Sequence, residues 1–357
     1  MKKIIAALSV TALALCAAFA DVSLEYTQKA DFIGDNGNLK YTGYAKNKGC
    51  VKFTLKNDNA GVQLDVDPTI AKGAEGTKSV EFDHYYGWVN FFNGAFTLQS
   101  GVWETRSVNR MNKDAGKWEG KQYERYKYGV ADGEVAKDIN NIATVNGTTA
   151  LSTSLTYKAD GLYATGILVT NDYDAASGLH AKSGWGVETG MNIGEGSKLT
   201  AMFKNPAKNA YAFAGFLENK TLKENLDFVV GFTFGRAAST NIEWAIDARA
   251  RYDLADNMAL TTMNNLTYKG SAKDFSVWDM VSLTLKASEK LDVLMTVEWE
   301  YKNFDTPDKG TLDLIPSIKY TAANGVDISS GIIISTTGWS RPTSATVEIP
   351  FMLHVAL

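Results

Sequence analysis

The feature that most restricts the fold is a two-residue alternation of apolar and polar side chains, repeated in segments of roughly ten residues. In one segment Leu291, Val293, Met295, Val297, Trp299 and Tyr301 share a face, while Asp292, Thr296, Glu298 and Glu300 share the other. Successive side chains of a strand point to opposite sides of a sheet, so the segment reads as a β-strand with one apolar and one largely ionic face. Leu226, Phe228, Val230, Phe232 and Phe234 alternate in the same way with Asp227, Gly231, Thr233 and Gly235. Ile242, Trp244, Ile246, Ala248, Ala250 and Tyr252 alternate with Glu243, Asp247, Arg249 and Arg251, and Val326, Ile328, Ile332 and Ile334 repeat the pattern. Upstream, Val51, Phe53 and Leu55 return through Asn57-Asp58-Asn59 to Val62, Leu64 and Val66.

Connections between these segments alternate in length. Tight, turn-rich links lie at Asn57 to Gly61, Asn93-Gly94, Ala159 to Gly161, Gly194 to Ser197, Leu254 to Asn257, Ser288 to Lys290 and Ala323 to Gly325. Longer ones run from Pro68 to Lys78, Arg106 to Thr149, Asp172 to Ser183 and Thr336 to Ser344. An antiparallel up-and-down meander predicts this, with short turns on one rim and long loops on the other. Counting in this way gives about 18 strands, or 16 if the stretch from Asp21 to Gly49 contributes fewer. From Leu151 onward nothing repeats with the 3.6-residue period of an amphipathic helix. Tyr85-Tyr86-Gly87 breaks the alternation of its strand and is expected to mark a β-bulge.

The N-terminus has a different character. Met1-Lys2-Lys3 is basic, Ile4 to Phe19 is almost wholly apolar, and Ala18-Phe19-Ala20 precedes Asp21 in the small-x-small form of a signal-peptidase site. Residues 1–20 therefore read as a signal peptide for Sec export and 21–357 as a single barrel domain. Leu13-Ala14-Leu15-Cys16 loosely resembles a lipoprotein box that would leave Cys16 lipidated, although Leu15 stands where a small residue belongs. Cys50 is then the only cysteine of the mature chain, so no intramolecular disulfide is expected. Beyond the leader no run of 18 apolar residues occurs, which excludes a helical membrane protein.

Composition removes other classes. The chain is 45% hydrophobic and 21% charged, with 31 Gly and 6 Pro, too apolar for intrinsic disorder and lacking collagen's periodicity. Its net charge of −4 has the wrong sign for a nucleic-acid binder. The histidines His84, His180 and His354 have no second ligand at metal spacing, and no Walker loop or nucleophile elbow is present. Asp83-His84 is the only adjacent acid–base pair and has no companion nucleophile, so neither an enzyme nor a cofactor is expected.

A soluble β protein with this many strands would bury its apolar faces against each other and be cut into domains by linkers, and none is visible. Tyr157, Trp185, Trp244, Tyr252, Trp299, Tyr301 and Tyr320 fall near strand ends on the apolar face, where rings with one wet edge form the girdles of a membrane barrel. In the last segment Val347, Ile349, Phe351, Leu353, Val355 and Leu357 alternate to the final residue.

Leader, meander and terminal strand together resemble a bacterial outer-membrane porin. The cadence of Tyr86-Gly87-Trp88-Val89-Asn90-Phe91, through Gly94, to Phe96-Thr97-Leu98-Gln99-Ser100-Gly101 is similar to that of spirochaete porin-like barrels. The resemblance implies an all-β, transmembrane, antiparallel up-and-down barrel in the outer membrane. It also implies that Phe351, Leu353, Val355 and Leu357 are an assembly signal read by the barrel assembly machinery, although such strands most often end in Phe. Its partners would be outer-membrane lipid, small hydrophilic solutes and ions, and, as in many porins, two further copies in a homotrimer.

Closed at 16 to 18 strands, a barrel keeps a lumen that side chains cannot fill. Parity places Asp65, Asp67, Glu188, Asp227, Glu243, Asp247, Glu298, Glu300, Asp313, Asp327 and Glu348 on the inward face, against Lys52, Lys56, Lys158, Arg249, Arg251, Lys286 and Lys319. A moderately acidic wall predicts weak cation preference, unless the charges pair across strands and cancel. Asp279 shares parity with outward Val277, Val281, Leu283 and Leu285 and is expected near the rim or protonated. The segment 106–149 is long enough to be functional, and its first part is basic and aromatic. Resemblance to porins would fold it inward, setting Arg106, Arg110, Lys113 and Lys117 against Glu243, Asp247, Glu298 or Glu300 as a constriction with Arg249 and Arg251. An external loop binding anionic headgroups or a host surface explains the same composition.

The function expected is passive diffusion of small hydrophilic solutes and ions. A surface adhesin or antigen carried on the loops is the alternative. A transporter of hydrophobic molecules is a third reading, which would need an apolar patch in the lumen.

Overall fold

A computed structural model describes residues 20–35, 38–70, 78–103, 144–145, 148–149, 151–171, 182–205, 211–223, 225–236, 241–270, 273–301, 310–338 and 344–356. Within them the alternating segments form strands β1 (Ala20–Asp35), β2 (Asn38–Lys56), β3 (Ala60–Ile70), β4 (Lys78–Phe91), β5 (Phe96–Val102) and β6 (Leu151–Ala159). There follow β7 (Leu162–Asn171), β8 (Lys182–Asn192), β9 (Ser197–Asn205), β10 (Tyr211–Lys223), β11 (Leu226–Arg236) and β12 (Glu243–Ala255). The last six are β13 (Met258–Lys269), β14 (Asp274–Ser288), β15 (Leu291–Tyr301), β16 (Thr311–Ala323), β17 (Val326–Gly331 continuing as Ile333–Thr337) and β18 (Ser344–Ala356). The expectation of about 18 strands is met, and the ambiguous stretch from Asp21 to Gly49 supplies β1 and most of β2. A short antiparallel pair, Thr144–Val145 with Thr148–Thr149, stands apart from the main sheet.

Each strand pairs antiparallel with the next, and β1 pairs with β18 from Glu25 opposite Ala356 to Asp35 opposite Thr346. The sheet is thus closed and has no free edge, the one arrangement of strands in which every ladder group finds a partner without water. The described residues contain no helix long and apolar enough to cross a membrane, which bears on helices only.

Alternation in sequence becomes alternation in space. Along β11, Val230 and Phe232 are exposed while Val229 and Thr233 are buried, and along β15 Val293 and Met295 are exposed while Leu294, Thr296 and Glu298 are buried. Exposed large apolar residues recur on the outer face of nearly every strand, from Val62 to Phe351. Each would cost about 2 kcal/mol to hold in water, so this exterior suits hydrocarbon. Polar groups, among them Asp65, Glu188, Asp247 and Glu298, are turned inward.

Two irregularities have local causes. The ladder between β16 and β17 is interrupted at Ile332, whose N–H donates to Pro316 O at 3.0 Å. Proline has no N–H to return the bond, so the strand is continuous in course but broken in pairing. Between β3 and β4, Asp65 pairs with His84 but Val66 with Phe82, which makes Asp83 the extra residue of a bulge. The bulge expected at Tyr85-Tyr86-Gly87 therefore lies just upstream, where it turns His84 inward to meet Asp65.

Turns follow from their residues. The Asn57 side chain accepts from the N–H groups of Asn59 (2.9 Å) and Ala60 (2.8 Å), closing β2 onto β3. At the β4–β5 turn Phe92, Asn93 and Gly94 all take positive φ.

Candidate functional site: the inner wall

On β3 and β4 the inward side chains form a connected network. Tyr86 Oη donates to Gln63 Oε1 (2.9 Å), and Gln63 Nε2 donates to Asp65 Oδ1 (2.9 Å). His84 Nδ1 lies 3.0 Å from Asp65 Oδ2, and Lys52 Nζ approaches the same oxygen at 3.9 Å. The Tyr86 ring stands 5.8 Å from that of Trp88 and 6.2 Å from that of Trp103, centroid to centroid. Trp88 lies over Gly61, its partner in register, so closely that a Cβ built there would collide with the indole. Beside this column, Thr97 Oγ1 donates to Asn90 Oδ1 (2.8 Å), and Gln99 is the partner of Trp88 on β5.

A second wall, on β11–β16, is acidic. Asp247, 2% exposed, accepts from Asn265 Nδ2 (2.6 Å), and Thr267 Oγ1 in turn donates to Asn265 Oδ1 (2.9 Å). Glu298, 1% exposed, accepts from the Trp278 indole N–H (2.8 Å). Ser282 and Thr296 exchange a hydroxyl hydrogen bond of 2.8 Å. Arg249 turns to Asp227 (3.2 Å), Arg251 to Asp253 (3.2 Å) and Lys319 to Asp327 (3.4 Å). The cross-strand pairing that would mute the wall's charge is therefore real for Arg249 and Lys319, while Arg251 pairs within its own strand.

Between the two walls, the Tyr163 hydroxyl donates to Glu188, and Lys198 Nζ sits 5.1 Å above the Tyr163 ring. Tyr163 covers Gly190 as Trp88 covers Gly61, and Phe216 covers Gly231. In each case ring and glycine are partners in register, so a bare backbone position lets an inward aromatic lie close to the wall.

Of the residues singled out in the sequence, Glu243, Asp247, Arg249 and Glu298 are buried on the inner face, and Arg251 and Glu300 are half-buried on the same face. Arg106, Arg110, Lys113 and Lys117 lie outside the described residues, as do residues 1–19 of the leader, Cys16 among them, and Leu357, while Ala20 opens β1. Tyr157, Trp185 and Tyr320 are exposed, and Trp244, Tyr252, Trp299 and Tyr301 half-exposed, all on the outer face near strand ends. Trp244 packs with Tyr268 and Phe275 on one rim, and Tyr157 with Phe96 on the other. Phe351, Leu353 and Val355 face outward on β18. Asp279 also faces outward, where it accepts from Asn264 (2.6 Å) opposite Trp299.

Two inward groups are not apparent from the alternation in sequence. One is the aromatic set Tyr86, Trp88 and Trp103. The other is apolar: Leu294, Ile315, Ile333 and Met352 form a buried cluster on the inner face of β15–β18, and Met263 and Met280 lie buried on β13 and β14. The described residues hold no group of three His, Cys, Asp or Glu side chains placed to bind a metal ion.

No protein-family model matches the sequence, and no curated protein matches it. Similarity appears at the level of structure. The chain is similar to Pseudomonas aeruginosa OpdQ, at a TM-score of 0.62 and 8% identity, over 95% of this chain and 98% of that one. It is similar to the outer membrane protein OpdK of Pseudomonas aeruginosa, at 0.60 and 8% identity, over 94% and 99%. A loop-deleted OmpT, an outer membrane protein of Vibrio cholerae, matches at 0.50 and 12% identity, over 95% and 99%. At these identities the likeness is one of fold, and the fold is the antiparallel up-and-down barrel of outer-membrane proteins.

Proposed function

We propose that the chain is an outer-membrane porin through which small hydrophilic solutes and ions diffuse passively. The observation that carries this reading is the inversion of the barrel, apolar outside and charged within, around a ring of 18 strands that side chains alone cannot fill. Similarity to outer-membrane barrels of Pseudomonas and Vibrio supports it. Acids outnumber bases on the described inner wall, and the summed field of such a wall favours cations weakly.

Several finer assignments belong to the same proposal. Residues 1–20 direct export and are removed. The outward aromatics near the strand ends sit at the two membrane interfaces, and β18 carries the assembly signal. Arg106, Arg110, Lys113 and Lys117 face the acids of β12 and β15 as a constriction, and three copies associate. The barrel performs no chemistry on what it passes. The spirochaete likeness of the Tyr86–Gly101 cadence stays a sequence resemblance within this reading.

The test is single-channel conductance and reversal potential of the refolded chain 21–357 in a planar bilayer under a KCl gradient. Steady open steps with a small cation-selective potential are expected. A folded, inserted protein that never conducts overturns the proposal.

A further inference from the structure

The column Trp88, Tyr86 and Trp103 is out of place on the wall of an aqueous lumen. Aromatic rings turned inward have no lipid to meet. Their arrangement also differs from simple packing. Trp88 rests over the bare backbone of Gly61, which leaves its opposite face turned away from the wall. Tyr86 follows two residues along the same strand, and Trp103, 4% exposed, continues the column toward mid-barrel beyond β5. Rings follow one another at 5.8 and 6.2 Å and are tilted by 43° and 55°.

Hydrogen-bonding groups edge the column on both sides. Gln63, Asp65 and His84 flank it on β3 and β4, and Asn90, Thr97 and Gln99 on β4 and β5. Amides, a hydroxyl and an imidazole both donate and accept, and the carboxylate of Asp65 is met by His84 and Lys52. The described side chains along the edge are therefore polar in both senses.

We propose that this wall is a binding track for neutral polyhydroxylated solutes, with carbohydrate rings laid on Trp88 and Tyr86, beside the buried Trp103, and their hydroxyls bonded to the flanking side chains. A sugar ring has C–H groups on its faces, which suit the electron-rich face of an aromatic ring, and hydroxyls around its rim, each both donor and acceptor. An aromatic carboxylate would satisfy the rings but bring a second negative charge to Asp65. A hydrocarbon would leave the amides and hydroxyls without partners. A sugar leaves neither fault. Affinity must stay weak, because a solute in a pore has to leave as readily as it enters.

The proposal rests on the channel reading for its purpose, but its test does not depend on conduction. Refolded chain 21–357 is titrated with maltotriose, read by tryptophan fluorescence and calorimetry in detergent and, separately, by interruption of single-channel current. Saturable weak binding is expected, with sodium benzoate and decanoate binding less well. Trp88→Ala should weaken maltotriose binding by up to about tenfold, the share of one stacked ring, and Trp88→Leu serves the same purpose should the alanine variant not fold. Absence of saturable maltotriose binding, or tighter binding of benzoate, overturns the track even if the pore conducts. Binding without conduction upholds the track and overturns the channel.

Discussion

The two inner walls hold their carboxylates in different ways. On β3 and β4, Asp65 collects Gln63, His84 and Lys52, so its charge is met by cationic or protonatable neighbours. On β12–β15, Asp247 and Glu298 accept from neutral donors, Asn265 and Trp278, while the nearby Arg249 turns to Asp227. A neutral donor satisfies a lone pair without cancelling the charge. Around Asp65 the described wall offers donors and acceptors of several kinds, whereas the donors printed for Asp247 and Glu298 are neutral.

The largest effect that could break this contrast is on stability. Asn265→Leu strips the buried Asp247 of its donor and should cost about 3 kcal/mol, whereas Gln63→Leu should cost roughly 1 kcal/mol because Asp65 keeps two other partners. Urea unfolding of the barrel in liposomes measures both, and equal losses would mean that the walls do not differ. Next in size is selectivity. Asp247→Asn combined with Glu298→Gln should bring the reversal potential in a KCl gradient clearly toward zero, and Asp65→Asn should move it little. A larger shift from Asp65 would place the field on the wrong wall. Gly61→Val should lift the Trp88 indole and weaken maltotriose block a few-fold, as one stacking contact is worth about 1 kcal/mol, with reversal potential unchanged. The smallest effect is expected from Ser282→Ala with Thr296→Val. Removing both hydroxyls of a pair is nearly neutral, within about 0.5 kcal/mol, though either change alone costs about 1 kcal/mol.

Much of this was readable before any coordinates. A strand number of 16 to 18 follows from the spacing of segments and turns, and the inward placement of Glu243, Asp247 and Glu298 from parity, because a closed sheet has only two faces and one of them must be apolar. What parity could not supply was pairing. His84, Tyr86 and Trp88 alternate with Tyr85, Gly87 and Val89, and both sets are aromatic or apolar enough to hide which faces in. The bulge at Asp83 then shifts the register between β3 and β4, so only the contact of His84 with Asp65 settles the matter. The inward cluster of Leu294, Ile315, Ile333 and Met352 was missed for a related reason. Each is a lone apolar residue among polar neighbours of its own strand, and they meet only across strands.

The seam between β1 and β18 also orders events in time. Glu25 meets Ala356, so the final pairing joins opposite ends of the chain, and its entropic cost can be repaid only at the last step. Until β18 arrives, β1 and β17 each present an open ladder able to recruit another chain. A polypeptide halted before Ser344 would thus be a nearly complete sheet with two adhesive edges, more hazardous to its cell than a fragment half as long. Assembly of such a barrel has to be all or nothing, with the chain kept extended until its last strand is in hand.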